Sequence, residues 1–420
     1  MFCPYCGINL QIVLLYCASC GRSIQFLRSL QSEGPEATMV DELIHKYFAE
    51  GHTSEIILDL LATKHNISMS LSTLKRRLRD ADLTKRTNYT PIATVREAIS
   101  EELQGSGRLL GYRAMWQILK QKYSLTVRRC DVMNLMRELD PSGIENRSQR
   151  RFVRRTYHST GPNEVWHVDG YDKLKPFGIA ISGCIDGFSR KIMWLACGKS
   201  NNDPSVIAQN YIKCVAEFGV FPMRLRTDCG TENGLMAALH CSLRSEQSDE
   251  LAGTRSHMYG TSTSNQRIES WWSYFRKQRI QFWIDLFGDL RERHLFNGSY
   301  EHTRLLRHCF LDVLQKELDE YKHHWNTHII RPVRQSNCPS GRPEAMYFLP
   351  HRFNGMNCGF PASPQTVSQL ERHVPAPAAP DGDSDQHDFE ELQRQSGLAP
   401  PLQWQPAVEN YITLKNMTDI

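Results

Sequence analysis

Three acidic residues, each in its own frame, constrain this chain more than anything else in it. Asp169 lies in Glu164-Val165-Trp166-His167-Val168-Asp169-Gly170-Tyr171, a run that alternates with the period of a strand. Asp228 closes Met223-Arg224-Leu225-Arg226-Thr227-Asp228 and is followed by Cys229-Gly230-Thr231-Glu232-Asn233, a strand giving way to a turn. Glu269 lies in Ser264-Asn265-Gln266-Arg267-Ile268-Glu269-Ser270-Trp271-Trp272, where a capping residue opens a helix. Two carboxylates on strand ends and one on a helix can converge on one point. Hard divalent cations such as Mg²⁺ prefer such oxygen ligands. A single acid after a strand is more often a turn or capping residue, and Asp172, Asp186 and Glu232 are read that way.

The flanking residues add a pattern to the three acids. Ile185-Asp186-Gly187-Phe188-Ser189-Arg190-Lys191 follows the first acid, Asp228-Cys229-Gly230-Thr231-Glu232-Asn233 contains the second, and Asn265 stands four residues before the third. With these features the stretch from about Gly161 to Arg279 resembles the core of the retroviral integrase and DDE transposase superfamily. The resemblance implies a ribonuclease-H-like α/β fold in which the first and fourth strands are neighbours. It also implies that Asp169, Asp228 and Glu269 are catalytic and bind two Mg²⁺ or Mn²⁺ ions for DNA cleavage and strand transfer. The spacing from Asp228 to Glu269 exceeds the family's commonest value, and the extra length in polar His240–Gly253 reads as a surface insertion. On the helix of Glu269, Arg276 and Lys277 are candidate phosphate contacts, whereas Trp271 and Trp272 read as core anchors.

At 420 residues the chain has room for several domains, and a net charge of +4 says little about partners unless the charge is clustered. No apolar run approaches the length of a membrane span. Most of the 13 cysteines are scattered singly, which suits a reducing, intracellular compartment. Four are not scattered. Cys3-Pro4-Tyr5-Cys6 and Cys17-Ala18-Ser19-Cys20 are two C-x-x-C knuckles, each followed by glycine, ten residues apart. Four thiolates so arranged form a closed tetrahedral set for a structural Zn²⁺, whose binding would supply folding energy to a segment too small to fold alone. Residues 1–30 are therefore expected to be a zinc ribbon.

Residues 38–90 read as a helix-turn-helix unit: Met39–Glu50, a second helix capped by Thr53, and a third capped by Ser70. The third helix buries Leu71, Leu74 and Leu78 and exposes Lys75, Arg76, Arg77 and Arg79, a basic face suited to the major groove of double-stranded DNA. The rival reading is a solvated charged face on an ordinary bundle. A second trio occupies residues 91–142, and its Gly111-Tyr112-Arg113 start resembles a helix-turn-helix found before the core of many insertion-sequence transposases. Residues 143–160 form a basic arm in which Arg147, Arg150, Arg151, Arg154 and Arg155 place five arginines in nine residues. Such a run neutralises phosphates, and the same run is a candidate nuclear import signal where a nucleus exists.

The core is expected over residues 161–290, with a helical extension over 291–350. Its His323–His324 pair is read as packing or surface rather than metal-binding. From Gly355 the Pro-, Ala- and Asp-rich composition predicts disorder over 355–420, apart from Tyr411–Leu414. The combined expectation is an integrase- or transposase-like enzyme that assembles as a dimer or tetramer on DNA ends, without a membrane. The alternative is a transposase-derived DNA-binding or regulatory protein without catalysis.

Overall fold

A computed structural model describes residues 35–83, 89–142, 157–260, 265–332, 338–375 and 384–418. The four knuckle cysteines Cys3, Cys6, Cys17 and Cys20 and the arm residues Arg147, Arg150, Arg151, Arg154 and Arg155 lie outside the described residues. The chain divides into two compact units, Met1–Asn88 and Tyr89–Ile420.

The first unit contains α1 (Pro35–Ala49), α2 (Ser54–His65) and α3 (Leu71–Asp80). Ile44, Tyr47, Ile57, Leu60, Leu61, Leu74 and Leu78 are buried at helical spacing and form its core. Ser70 caps α3 as its sequence predicts, its hydroxyl accepting from the Thr73 N–H at 3.1 Å. Thr53 takes the cap position of α2 without a side-chain cap bond.

The second unit opens with α4 (Ile92–Gln104), α5 (Tyr112–Gln121) and α6 (Arg129–Leu139), closed around Val95, Ile99, Met115, Leu119, Val132 and Met136. Next come β1 (Val165–Tyr171), β2 (Ala180–Asp186) and β3 (Ile192–Gly198), then α7 (Pro204–Phe218), the two-residue β4 (Val220–Phe221) and β5 (Arg224–Thr227). Asp203 caps α7, accepting from the Ser205 N–H at 2.8 Å, and Gly219 ends that helix at a φ of 62°. After α8 (Gly234–Ser245) and β6 (His257–Tyr259) the chain is mainly helical. It continues with α9 (Gln266–Phe275), a π-helical turn (Arg276–Ile280), α10 (Gln281–Glu292), α11 (Tyr300–Thr327) and α12 (Pro343–Phe348). Beyond these lie β7 (Phe360–Pro361), α13 (Pro364–His373), α14 (Ser384–Gln395) and α15 (Trp404–Thr418).

The central sheet has the order β3-β2-β1-β5-β6. The first three strands are antiparallel, whereas β5 and β6 run parallel to β1. That mixed order, flanked by helices, is the ribonuclease-H-like arrangement, and it makes the first and fourth core strands neighbours. Alternation along β1 sends Trp166 and Val168 to the face covered by α7 and α8. Tyr171 goes to the opposite face, where Trp271, Trp272 and Phe275 of α9 pack with Phe310, Leu314 and Tyr321 of α11. Each fully buried aromatic there contributes roughly 2–3 kcal/mol. Among the described residues no helix is long and apolar enough to cross a membrane.

Leu71, read as buried on the third helix, is exposed, and the second unit departs from the sequence reading in two larger places. The proposed insertion His240–Gly253 is not wholly a surface loop, because α8 buries His240 and Arg244 completely. Arg244 binds both carboxylate oxygens of Asp249, at 2.6 and 2.7 Å, and donates through Nε to the Met223 carbonyl at 3.1 Å. This contact fastens the segment to the entry of β5. The second departure is the tail: α13, α14 and the part of α15 outside Tyr411–Leu414 are helical where composition predicts disorder. Ala407, Tyr411 and Leu414 have the spacing of one helical face, and that face is buried in the core cluster of α11.

Candidate active site

The sheet register brings the two aspartates together. Val165, Trp166 and His167 of β1 pair with Arg224, Leu225 and Arg226 of β5. Continuing the register two residues sets Asp169 beside Asp228, just past the end of β5. Strand alternation turns Asp169 toward the same face as Tyr171, the face that α9 covers. Glu269 lies in the first turn of α9.

The immediate partners of each carboxyl differ. Asp169 is half-buried, and its Oδ2 accepts from the Trp272 indole Nε1 at 2.9 Å. Gly183, its register partner on β2, makes room for this contact, since a Cβ there would meet the Trp272 ring at 2.8 Å. Asp228 Oδ1 accepts from the Gly230 N–H at 3.2 Å and from Asn233 Nδ2 at 2.9 Å, so the following turn holds it. Burial first, and then the nearby charges of Glu269 and Asp228, push the Asp169 carboxyl up to about 7. Burial and Asp228 likewise raise Glu269. The three acids thus lie within electrostatic reach of one another.

Asp169 and Glu269, whose carboxyls burial and neighbouring acids push up, stand with half-buried Asp228 in a site short of positive charge, and all the donor atoms are hard oxygens. This donor set fits a hard divalent cation. Among the described residues, however, no three His, Cys, Asp or Glu side chains are grouped closely enough to grip a metal ion as they stand.

A second layer lies behind the acids. His167 is buried, and burial drives its pKa down to about 3, so the ring is neutral. Its Nδ1 is 2.7 Å from Asn265 Oδ1, and its Nε2 is 2.9 Å from the Tyr157 hydroxyl. Asn265 Nδ2 donates to the Val168 carbonyl at 2.8 Å. A carbonyl only accepts, which fixes the amide orientation: Nδ2 faces Val168 and Oδ1 faces His167. His167 therefore carries its proton on Nδ1, and Nε2 accepts from Tyr157. The sequence reading singled out Asn265 but gave no role to Tyr157, His167 or the Trp272 indole. The only sequence signal for His167 was a polar residue two positions before Asp169, on the same face of the strand.

The remaining candidates fall as follows. Lys75, Arg76 and Arg79 are exposed on α3, but Arg77 turns toward α1 and pairs with Asp41 at 2.5 Å. Arg77 is therefore a strut of the bundle rather than part of the open basic face. Arg276 and Lys277 are exposed on the π-helical turn, while Arg279 of the same turn points inward to Ser106 Oγ at 2.6 Å. Asp186 is structural, accepting from the Asn163 and Ser189 N–H groups and the Ser189 hydroxyl at 2.6–2.8 Å. Asp172 pairs with Lys175 at 2.8 Å and accepts from Asn201 at 3.0 Å. His323 is exposed while His324 is buried, so this pair does not face one site.

Residues 156–342 match the family model described as an integrase core domain. No curated protein matches the chain.

Proposed function

The segment 156–342 is an integrase core domain and belongs to the retroviral integrase and DDE transposase superfamily; from that premise we propose that the protein cleaves and joins DNA strands at a site formed by Asp169, Asp228 and Glu269. The observation that carries the reading is the strand register that sets Asp169 beside Asp228, with Glu269 in the first turn of the helix over that face, within a domain of that family. Two Mg²⁺ or Mn²⁺ ions held by the three carboxylates would activate the attacking oxygen and stabilise the departing 3′ oxygen. The protein's own part is positional. The Trp272 N–H favours the ionised form of Asp169 and orients its Oδ2, and Asn233 orients Asp228 Oδ1. Exposed Arg276 and Lys277 follow Glu269 by two turns and meet phosphates flanking the scissile bond.

Target DNA is engaged by Lys75, Arg76 and Arg79 of α3 and by the arm arginines Arg147, Arg150, Arg151, Arg154 and Arg155, with a zinc ribbon of Cys3, Cys6, Cys17 and Cys20 ahead of them. Strand transfer joins two DNA ends, so a dimer or tetramer is the working form. In a cell with a nucleus, the arm also serves as the import signal. The test is Mn²⁺-dependent nicking and joining of supercoiled plasmid by the intact protein and by Glu269→Gln. Activity in the first and none in the second supports the carboxylate mechanism. DNA binding with steep salt dependence but no cleavage by either protein would move the assignment to a non-catalytic DNA-binding role.

A further inference from the structure

We propose that Tyr157, His167 and Asn265 form a positioning bracket that sets Glu269 against Asp169, and thereby sets the affinity of the carboxylate site for its cation. The inference rests on the proposed carboxylate site and extends it to residues that touch neither cation nor DNA.

Asn265 occupies the N-cap position of α9, where an asparagine side chain ordinarily accepts from the first free N–H groups of its helix. Here it makes no such bond. Both ends of its amide are committed to β1 instead, Nδ2 to the Val168 carbonyl and Oδ1 to the His167 ring. A local capping bond has been given up for a tertiary one. The same residue's backbone carbonyl accepts from the Glu269 N–H at 3.2 Å, the first turn of the helix. Asn265 thus connects the peptide unit next to Asp169 with the backbone of Glu269 through two hydrogen bonds.

The bracket is directional throughout. The Tyr157 hydroxyl donates to His167 Nε2, His167 Nδ1–H donates to Asn265 Oδ1, and Asn265 Nδ2–H donates to Val168. The Val168 carbonyl fixes the amide, the amide fixes the tautomer, the tautomer makes the Tyr157 hydroxyl the donor, and the amide ties the start of α9 to β1. Asn265 is 1% exposed and His167 also 1%, so water does not compete for these bonds. Two carboxylates that repel each other drift apart unless the backbone holds them, and outer-layer hydrogen bonds of this kind commonly change metal affinity by ~10–100-fold.

The experiment titrates Mn²⁺ into the full-length chain and follows the melting temperature, with plasmid nicking read in parallel. Asp169→Asn serves as the control that removes the site. The bracket predicts that Asn265→Ala and His167→Leu need roughly tenfold more Mn²⁺ for half of the thermal shift. His167→Asn keeps a donor at the position of Nδ1 and returns the midpoint toward wild type. If Asn265→Ala loses its cooperative melt, Tyr157→Phe carries the test, because it deletes one hydroxyl and should move the midpoint by roughly threefold. Cooperatively melting variants with a wild-type Mn²⁺ midpoint would overturn the bracket and leave the carboxylate site standing. A wild-type chain with neither a Mn²⁺-dependent thermal shift nor nicking removes the site itself, and the bracket with it.

Discussion

The Trp272 indole N–H points at Asp169 Oδ2 from 2.9 Å, while its ring packs on Tyr171 at 4.9 Å and Phe275 at 5.4 Å between centroids. One side chain thus ties a candidate catalytic carboxylate to the hydrophobic core. Removing only the N–H separates the two roles. In Trp272→Phe the ring stays buried, so stability falls by about 1–2 kcal/mol. Without the donor, the ionised form of Asp169 loses support and its pKa rises further above about 7. Half-saturating Mn²⁺ for plasmid nicking at pH 7 should then rise several-fold, and a higher pH should recover most of the loss. An unchanged Mn²⁺ requirement at pH 7 would assign Trp272 to packing alone.

The same raised carboxyl makes the cation-free protein sensitive to pH in a defined direction. Asp169 titrates near 7 in the fold against an ordinary value of 3.8, so the folded state holds its proton more tightly than the unfolded chain. Its contribution to stability is therefore greatest at low pH and is lost as pH rises from about 4 through 7. Asp169→Asn abolishes that loss while keeping an acceptor for Trp272. In EDTA at pH 8 the variant should be more stable than wild type, by on the order of 1–2 kcal/mol. The difference should shrink on acidification toward pH 4, and Mn²⁺ should stabilise only the wild type. Denaturant melts at several pH values measure all three.

A buried histidine on α8 carries the opposite dependence. His240 on α8 is fully buried, hydrogen-bonded through Nδ1 to the Tyr211 hydroxyl at 2.9 Å, and its Nε2 has no hydrogen-bond partner among the described residues. Burial lowers its pKa to about 3. Because the unfolded ring titrates near 6.5, the unfolded state binds the extra proton first, and stability is lost as pH falls from 6.5 toward 3. His240→Phe fits the same ring-shaped space and cannot be protonated. Its acid-unfolding midpoint should lie at lower pH than that of wild type, with circular dichroism as the readout. An identical acid limb would mean that other buried groups dominate it.

What the sequence made legible follows from periodicity. The alternation in Val165–Tyr171 set the strand of Asp169, the apolar spacing of Pro204–Phe218 gave that helix to the residue, and the Ser70 cap was readable from one side chain. Tertiary choices were not legible. Asn265 has the local chemistry of a cap, yet its amide is used on β1, and no helix-start rule distinguishes the two uses. Arg77 has the same exposed-face chemistry as Arg76 until α1 presents Asp41. His240 and Arg244 sit in a stretch polar enough to pass for a loop, and the Met223 carbonyl, the Asp249 carboxylate and the Tyr211 hydroxyl explain their burial.

The carboxy-terminal helix gives the sharpest test of composition against packing. Composition predicts disorder after Gly355 apart from Tyr411–Leu414, and Tyr411 on α15 is fully buried against α11 together with Ala407 outside that exception. Its hydroxyl donates to the Leu295 carbonyl at 3.0 Å and accepts from His302 Nδ1 at 3.1 Å. Tyr411→Phe strands both partners and should cost about 1–2 kcal/mol. Tyr411→Ala also opens a cavity the size of an aromatic ring and should cost about 3–5 kcal/mol. Chemical denaturation of both variants measures the gradation, and hydrogen exchange of α11 reports whether the loss spreads into the core. Equal stability of Tyr411→Ala and wild type would mean that α15 is dispensable to the core.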